Sequence, residues 1–299
     1  MHITAISWLL TSVFIATHLH LLVSGQWGAC VLFTLGLFVA GSFSVQTRPA
    51  VSRFLLNGPS FAVGGVRVIR PSKSSAAHPD RLARNLLAIH PHGISSTATG
   101  MALIDCARRD ERTALAVAPI LRWWNPIMRL IMNLSGIDVI SASPSGISEC
   151  MQAGKSLAIV VGGFHELLLN DDSSDVVFLK SRKGFVKYAI RHGYDITPVY
   201  CFGESQLYSN KLRLGDRVRN FLAEWKLPVV LPLGSSCCNL MPRKLSKGVV
   251  IAFGSPLSVT KNLHPSREQI DSVHAIYMHK LAELYTQHNP YLHRPLVIV

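Results

Sequence analysis

The segment His90-Pro91-His92-Gly93 holds two imidazoles on one short turn. Histidine can take up or release a proton near neutral pH. Pro91 fixes its own φ and restricts the residue before it, while Gly93 permits a tight approach of backbone or ligand. A histidine held that stiffly suits general-base work on a hydroxyl. A surface loop that merely contains two histidines is the plainer alternative. A second segment, Val160-Val161-Gly162-Gly163-Phe164-His165-Glu166, puts a carboxylate just after paired glycines. The glycines make room for a bound group or expose backbone N–H donors, and Glu166 is suited to orient an imidazole or to bind a hydroxyl. A third segment, Ser181 to Lys187, gathers Arg182, Lys183 and Lys187 around Gly184. Such a cluster binds phosphates with the help of a helix N-terminus; a solvated basic face is its alternative. Glu204, after a later apolar run, reads either as a wall of the site or as a loop carboxylate. His90, His92, His165 and Glu166 could gather around a metal, but no spacing of the HExxH kind is present, and the expected site is metal-free.

These segments need elements to position them. The first two come directly after short, continuous apolar runs, residues 86–89 and 157–161, which is how strands buried on both faces read. Ligands meet an open α/β sheet at the carboxyl ends of its strands. Further strands are expected at 66–69, 114–118, 137–140, 196–202 and 249–253. Helices are expected at 95–109, 125–134, 146–152, 184–192, 214–225 and 267–288. Gly193 is a stop signal for one of these, and Ser266 a cap for the last. Strands alternating with helices predict an α/β domain with a mainly parallel sheet flanked by helices.

Ahead of this domain, residues 1–45 contain no Asp, Glu, Lys or Arg, and the first charged side chain is Arg48. Two apolar runs, 3–23 and 27–45, are separated by Ser24-Gly25-Gln26. Each has roughly the 20 residues a helix needs to cross about 30 Å of hydrocarbon. A transmembrane helical hairpin over 1–47 is expected, and after it a catalytic domain over 48–299. A secretory signal fits poorly, because no basic residue starts the chain and the apolar run is too long. Lys+Arg total 30 against 17 Asp+Glu, a net charge of +13. Arg48 and Arg53, directly after the second run, place the catalytic domain on the cytoplasmic side. The basic face suits anionic lipid heads or a phosphorylated cofactor. No finger, recognition-helix or RNP-like pattern speaks for nucleic acid as a partner. The six cysteines form no CxxC pair and no zinc spacing, so free thiols are expected.

Taken together, these blocks resemble the diacylglycerol O-acyltransferase 2 family, which includes monoacylglycerol and wax-ester acyltransferases. His90 to Gly93 looks like its His-Pro-His-Gly block, and Val160 to Gly163 with Glu166 like its Val-Val-Gly-Gly-x-x-Glu block. Arg182 to Lys187, His192-Gly193, Pro198-Val199-Tyr200 and Phe202-Gly203-Glu204 match its longest signature. Gly254 and Pro256, then His264-Pro265, His274 and Tyr277-Met278, are similar to its C-terminal blocks. The chain departs from the family where Phe164 and His165 replace two small residues, where Ala142 stands near an expected Arg, and where the Tyr-Phe-Pro block is missing. The resemblance implies a glycerolipid acyltransferase-like fold and an enzyme of the endoplasmic reticulum and lipid droplets. Such an enzyme moves a fatty acyl group from acyl-CoA, a co-substrate, to diacylglycerol, with no other cofactor. On this reading His92 is the base, Glu166 orients His92 or the acceptor, and His90 shapes the turn or serves as a second base. Gly93 or Gly162-Gly163 supply oxyanion donors, and Arg182, Lys183 and Lys187 meet the CoA phosphates. Monoacylglycerol, long-chain alcohols and glycerophospholipids are alternative acceptors. A membrane-bound lipid-binding protein without activity is the non-enzymatic alternative. A homo-oligomer is compatible with the sequence.

Overall fold

The computed structural model describes residues 63–71, 84–109, 111–119, 132, 137–170, 173–210, 218, 221, 232–235 and 242–299. The expected hairpin over 1–47 lies outside the described residues, as do the helices expected at 125–134 and 214–225 apart from single positions. Among the described residues no helix is long and apolar enough to cross a membrane. Cys106, Cys150 and Cys201 are buried free thiols.

Eleven strands are described: β1 (Val66–Ile69), β2 (Asn85–His90), β3 (Thr113–Val117), β4 (Val139–Ser141), β5 (Ser156–Val160), β6 (Asp175–Val177), β7 (Asp195–Phe202), β8 (Ser209–Asn210), β9 (Pro232–Leu233), β10 (Val249–Phe253) and β11 (Leu296–Ile298). Five helices accompany them: α1 (Thr97–Arg108), α2 (Pro144–Gln152), α3 (Phe164–Leu168), α4 (Gly184–His192) and α5 (Arg267–His288). Seven strands form one sheet in the order β1-β10-β7-β2-β5-β3-β4. Every neighbouring pair in it is parallel except β10 and β7. The sheet is thus mainly parallel, as the alternation of strands and helices predicts, with β1 and β10 reversed at one edge. Two small pairs, β6 with β11 and β8 with β9, stand outside it.

The central strand shows why the apolar runs are continuous. Leu86 and Ala88 of β2 join one buried cluster with Phe185, Ala189 and Ile190 of α4 and Tyr277 and Leu281 of α5. Leu87 and Ile89 face the other side and pack with Met101, Ala102 and Leu103 of α1. Successive strand side chains point to opposite faces, so a sheet covered on both faces needs apolar residues at every position. Truncating such a residue to alanine costs about 2–5 kcal/mol through lost transfer energy and the cavity left behind. Helix ends obey local chemistry. Ser143 caps α2 through the Gly146 N–H with Pro144 next to it, Ser266 caps α5 through the Gln269 N–H, and Gly193 closes α4 in the left-handed region.

The carboxyl ends of β7, β2 and β5 lie side by side. They carry Gly203-Glu204, His90 to Gly93 and Gly162 to Glu166 respectively. Three motifs far apart in sequence therefore meet at one edge of the sheet.

Candidate active site

Glu166 is the hub of that edge. Its side chain is buried on α3, yet among the described residues no Lys or Arg forms a salt bridge with it. Its carboxylate accepts the His92 backbone N–H at 2.6 Å and the Phe178 N–H at 2.9 Å. His90 Nδ1 stands 3.6 Å from Oε1, too far for a hydrogen bond, and it has no hydrogen-bond partner among the described residues. Gly162 leaves the room for this arrangement. A Cβ there would collide with the Glu166 carboxyl carbon and Cγ. The space beside that glycine is filled by the protein's own carboxylate. Gly163 is the cap residue of α3.

His90 is fully buried. Its Nε2 lies 2.9 Å from the Tyr277 hydroxyl, which also reaches the Ala88 carbonyl at 3.3 Å. His90 thus lies between Tyr277 of α5 and Glu166. His92 is only partly buried. Its Nδ1 is 2.8 Å from the Gly93 carbonyl. A carbonyl only accepts, so Nδ1 carries the proton and Nε2 keeps a lone pair. Burial lowers the His92 pKa below its ordinary value, with the Gly93 carbonyl and the Glu166 charge opposing. The imidazole is therefore neutral near pH 7, with one nitrogen ready to accept a proton.

Gly93 has a positive φ of 58° and is approached from below by Glu204. An added Cβ would lie 2.6 Å from the Glu204 Cγ. Glu204 is buried and accepts the Thr97 N–H at 3.1 Å and the Ala98 N–H at 2.6 Å at the start of α1. Burial pushes its carboxyl up to about 7, against those N–H bonds, which lower it. Glu204 thus packs under the turn that carries Gly93 and against the start of α1.

The basic cluster divides three ways. Arg182 donates to His165 Nδ1 at 2.7 Å and lies over the Phe178 ring, against which His165 stacks. Burial lowers both groups' pKa values; the Glu166 charge opposes this at Arg182, and Arg182 adds to it at His165. Arg182 Nε is buried with no hydrogen-bond partner among the described residues. Lys183 pairs with Asp271 of α5 at 2.7 Å, and Lys187 is exposed on α4. Arg182 alone of the three reaches the Glu166 side of the site. Among the described residues, no group of three or more His, Cys, Asp or Glu is placed to hold a metal ion.

Two features escape motif reading. One is the partnership of Tyr277 with His90, 187 residues away: the C-terminal block names Tyr277 but not what it touches. The other is a buried ionic network. Asp175 accepts from Arg294 Nε at 3.0 Å, from the Ser205 hydroxyl at 2.6 Å and from the Tyr285 hydroxyl at 3.0 Å. It ties β6, α5 and the C-terminal segment to the turn Glu204–Gln206 beside the site.

Comparison with known proteins gives a consistent result. The family model described as diacylglycerol acyltransferase matches residues 74–294. Human diacylglycerol O-acyltransferase 2-like protein 6 is 28% identical over 220 residues, 68% of this chain and 65% of the relative. Mouse acyl-CoA wax alcohol acyltransferase 2 is 28% identical over 231 residues, 72% of this chain and 68% of the relative. Human 2-acylglycerol O-acyltransferase 3 is 30% identical over 239 residues, 72% of this chain and 67% of the relative. The matched part of the chain thus spans about two thirds of these relatives' own length, and slightly less of the first.

Proposed function

The chain belongs to the diacylglycerol acyltransferase family, and from that premise we propose that it is an acyl-CoA-dependent O-acyltransferase making triacylglycerol from diacylglycerol. The observation that carries the reading is His92: a neutral imidazole at the carboxyl edge of the sheet, its Nδ1 proton held by the Gly93 carbonyl and its Nε2 left with a lone pair. Nε2 takes the proton of the acceptor hydroxyl as that oxygen bonds to the thioester carbonyl carbon. The oxyanion so formed collapses, the carbon–sulfur bond breaks, and the proton passes from His92 to the leaving CoA thiolate. No acyl-enzyme forms, and no metal is required. Glu166 holds His92 through its backbone N–H, and His90 and Tyr277 hold Glu166's surroundings. Backbone N–H groups near Gly93 or Gly162-Gly163 are the proposed oxyanion donors. Arg182, with Lys183 and Lys187 at the start of α4, is the proposed contact for the CoA phosphates.

A site at a membrane surface suits these substrates, because the acceptor and product are nearly insoluble while acyl-CoA carries a charged head. The uncharged residues 1–45 are proposed as the anchor, with residues 48–299 on the cytosolic side of the endoplasmic reticulum or on lipid droplets. The relatives' names divide among diacylglycerol, wax alcohol and 2-acylglycerol, so the acceptor is the part of the reading that the assay must separate. Purified membranes with labelled acyl-CoA, offered diacylglycerol, monoacylglycerol and a long-chain alcohol, should yield labelled triacylglycerol. Wax ester alone would move the acceptor to the alcohol, and no turnover with any hydroxyl would overturn the enzymatic reading.

A further inference from the structure

We propose that Glu204 is a positioning residue for His92, acting through the turn Gly93 to Ala98. The proposal rests on the acyltransferase reading and adds to it a residue outside the His92–Glu166 pair.

The start of α1 is built in an unusual way. Ser96 occupies the cap position, where a serine ordinarily turns its hydroxyl onto the helix's own N–H groups. Here its side chain makes no such bond. The hydroxyl instead turns back to the His92 carbonyl at 3.0 Å, and the residue adopts a left-handed φ of 49° to do so. That conformation is costly for a residue with a side chain and persists only where the surroundings impose it. The vacated capping role falls to Glu204, from more than a hundred residues away, which takes the Thr97 and Ala98 N–H groups on its two oxygens.

A serine cap would have been cheaper than a buried carboxylate, since burying a charge without a cation costs several-fold more than burying a hydroxyl. What the costly arrangement gains is rigidity in the turn that carries Gly93. The Gly93 carbonyl fixes the His92 tautomer, and the Glu204 side chain is packed where any Gly93 side chain would lie. Residues 92–98 are thus gripped at both ends by carboxylates from two different neighbouring strands' ends, Glu166 at the His92 N–H and Glu204 at Thr97 and Ala98. The Ser205–Asp175–Arg294 network fixes the residue next to Glu204 in turn.

A simple helix cap and a positioning residue predict different outcomes. Glu204→Gln keeps the shape but sets an amide N–H against a backbone N–H, so one of the two grips is lost. The full chain in membranes should lose about 10²-fold in kcat, the usual cost of a misplaced catalytic group, at unchanged KM for acyl-CoA. Its thermal midpoint should fall by no more than a few degrees, the cost of one buried hydrogen bond, while the amides of residues 92–98 exchange with deuterium faster. Glu204→Asp, which keeps the charge, should recover part of the kcat. Wild-type kcat in Glu204→Gln, or a kcat loss matched by a larger fall in midpoint in both variants, would overturn the proposal. Wild-type exchange across 92–98 would overturn it too, whatever the activity. Failure of the wild-type chain itself to acylate any acceptor would instead strike the acyltransferase reading, and the exchange comparison would still report on the grip.

Discussion

Replacing Gly162 with alanine adds one methyl group at the point where the Glu166 carboxyl passes closest to the backbone. The new Cβ overlaps the Glu166 Cγ and carboxyl carbon, and both belong to a side chain with no free space to retreat into, since Glu166 is 2% exposed. The carboxylate must leave its bonds to His92 and Phe178, 2.6 and 2.9 Å long. Hydrogen bonds to a charged group contribute about 1.5–3 kcal/mol each, so losing both sets a ceiling of ~3–6 kcal/mol. Partial relaxation brings the expected cost nearer the ~1–3 kcal/mol of an overpacked core. The catalytic effect is of the same size, because the His92 backbone is released: about 10²-fold in kcat, or ~2.7 kcal/mol. Gly184→Ala is the matched control. It lies at the first residue of α4, where a Cβ meets nothing within 4 Å, and should be neutral or stabilise slightly. Thermal unfolding and steady-state transfer from labelled acyl-CoA would be measured for both variants. A Gly162→Ala protein with wild-type midpoint and kcat would refute the packing of Glu166 against that glycine.

The same geometry sets three further outcomes. Two protonations should lower activity as pH falls: Glu204 near 7, loosening the turn, and then His92 below the ordinary histidine range, removing the base. A pH–rate profile of Glu204→Gln should lack the first step and keep the second; a single unchanged limb would contradict the assignment. Tyr277→Phe leaves His90 Nε2 buried without its partner and should cost about 1–3 kcal/mol in stability, with less effect on kcat than changes at His92. Asp175→Ala strands the Arg294 guanidinium in the core and should cost about 3–5 kcal/mol; an unchanged melting midpoint would show that the pair is not a structural tie.

The parts of the fold that are local in sequence are readable from it. The helices α4 and α5 and the strands β1 and β10 begin and end where the pattern of apolar residues, Ser266 and Gly193 puts them. The run 157–161 and the run 86–89 each shift by a residue at their ends. Apolar periodicity cannot give strand direction, which is why the reversal of β10 against β7 is a finding of the structure. Nor can it find β6 and β11, three residues each, whose partnership joins positions more than a hundred residues apart. The site divides in the same way. His90, His92 and Glu166 carry their chemistry in their types and spacing. That Glu166 grips the His92 backbone while the Gly93 carbonyl holds the ring depends on side-chain directions that no spacing encodes. The basic residues Arg182, Lys183 and Lys187 read as one cluster, yet the turn into α4 sends them to three different surroundings.

The central claim is that His92 Nε2 removes the acceptor's proton. The most direct test is acyl transfer by His92→Gln, a variant of similar size, compared with wild type in the same membranes with labelled acyl-CoA and the preferred acceptor. A folded protein with wild-type midpoint, bound acyl-CoA and turnover reduced about 10²–10⁴-fold is the expected result for loss of a general base. Full turnover by that folded variant would contradict the account.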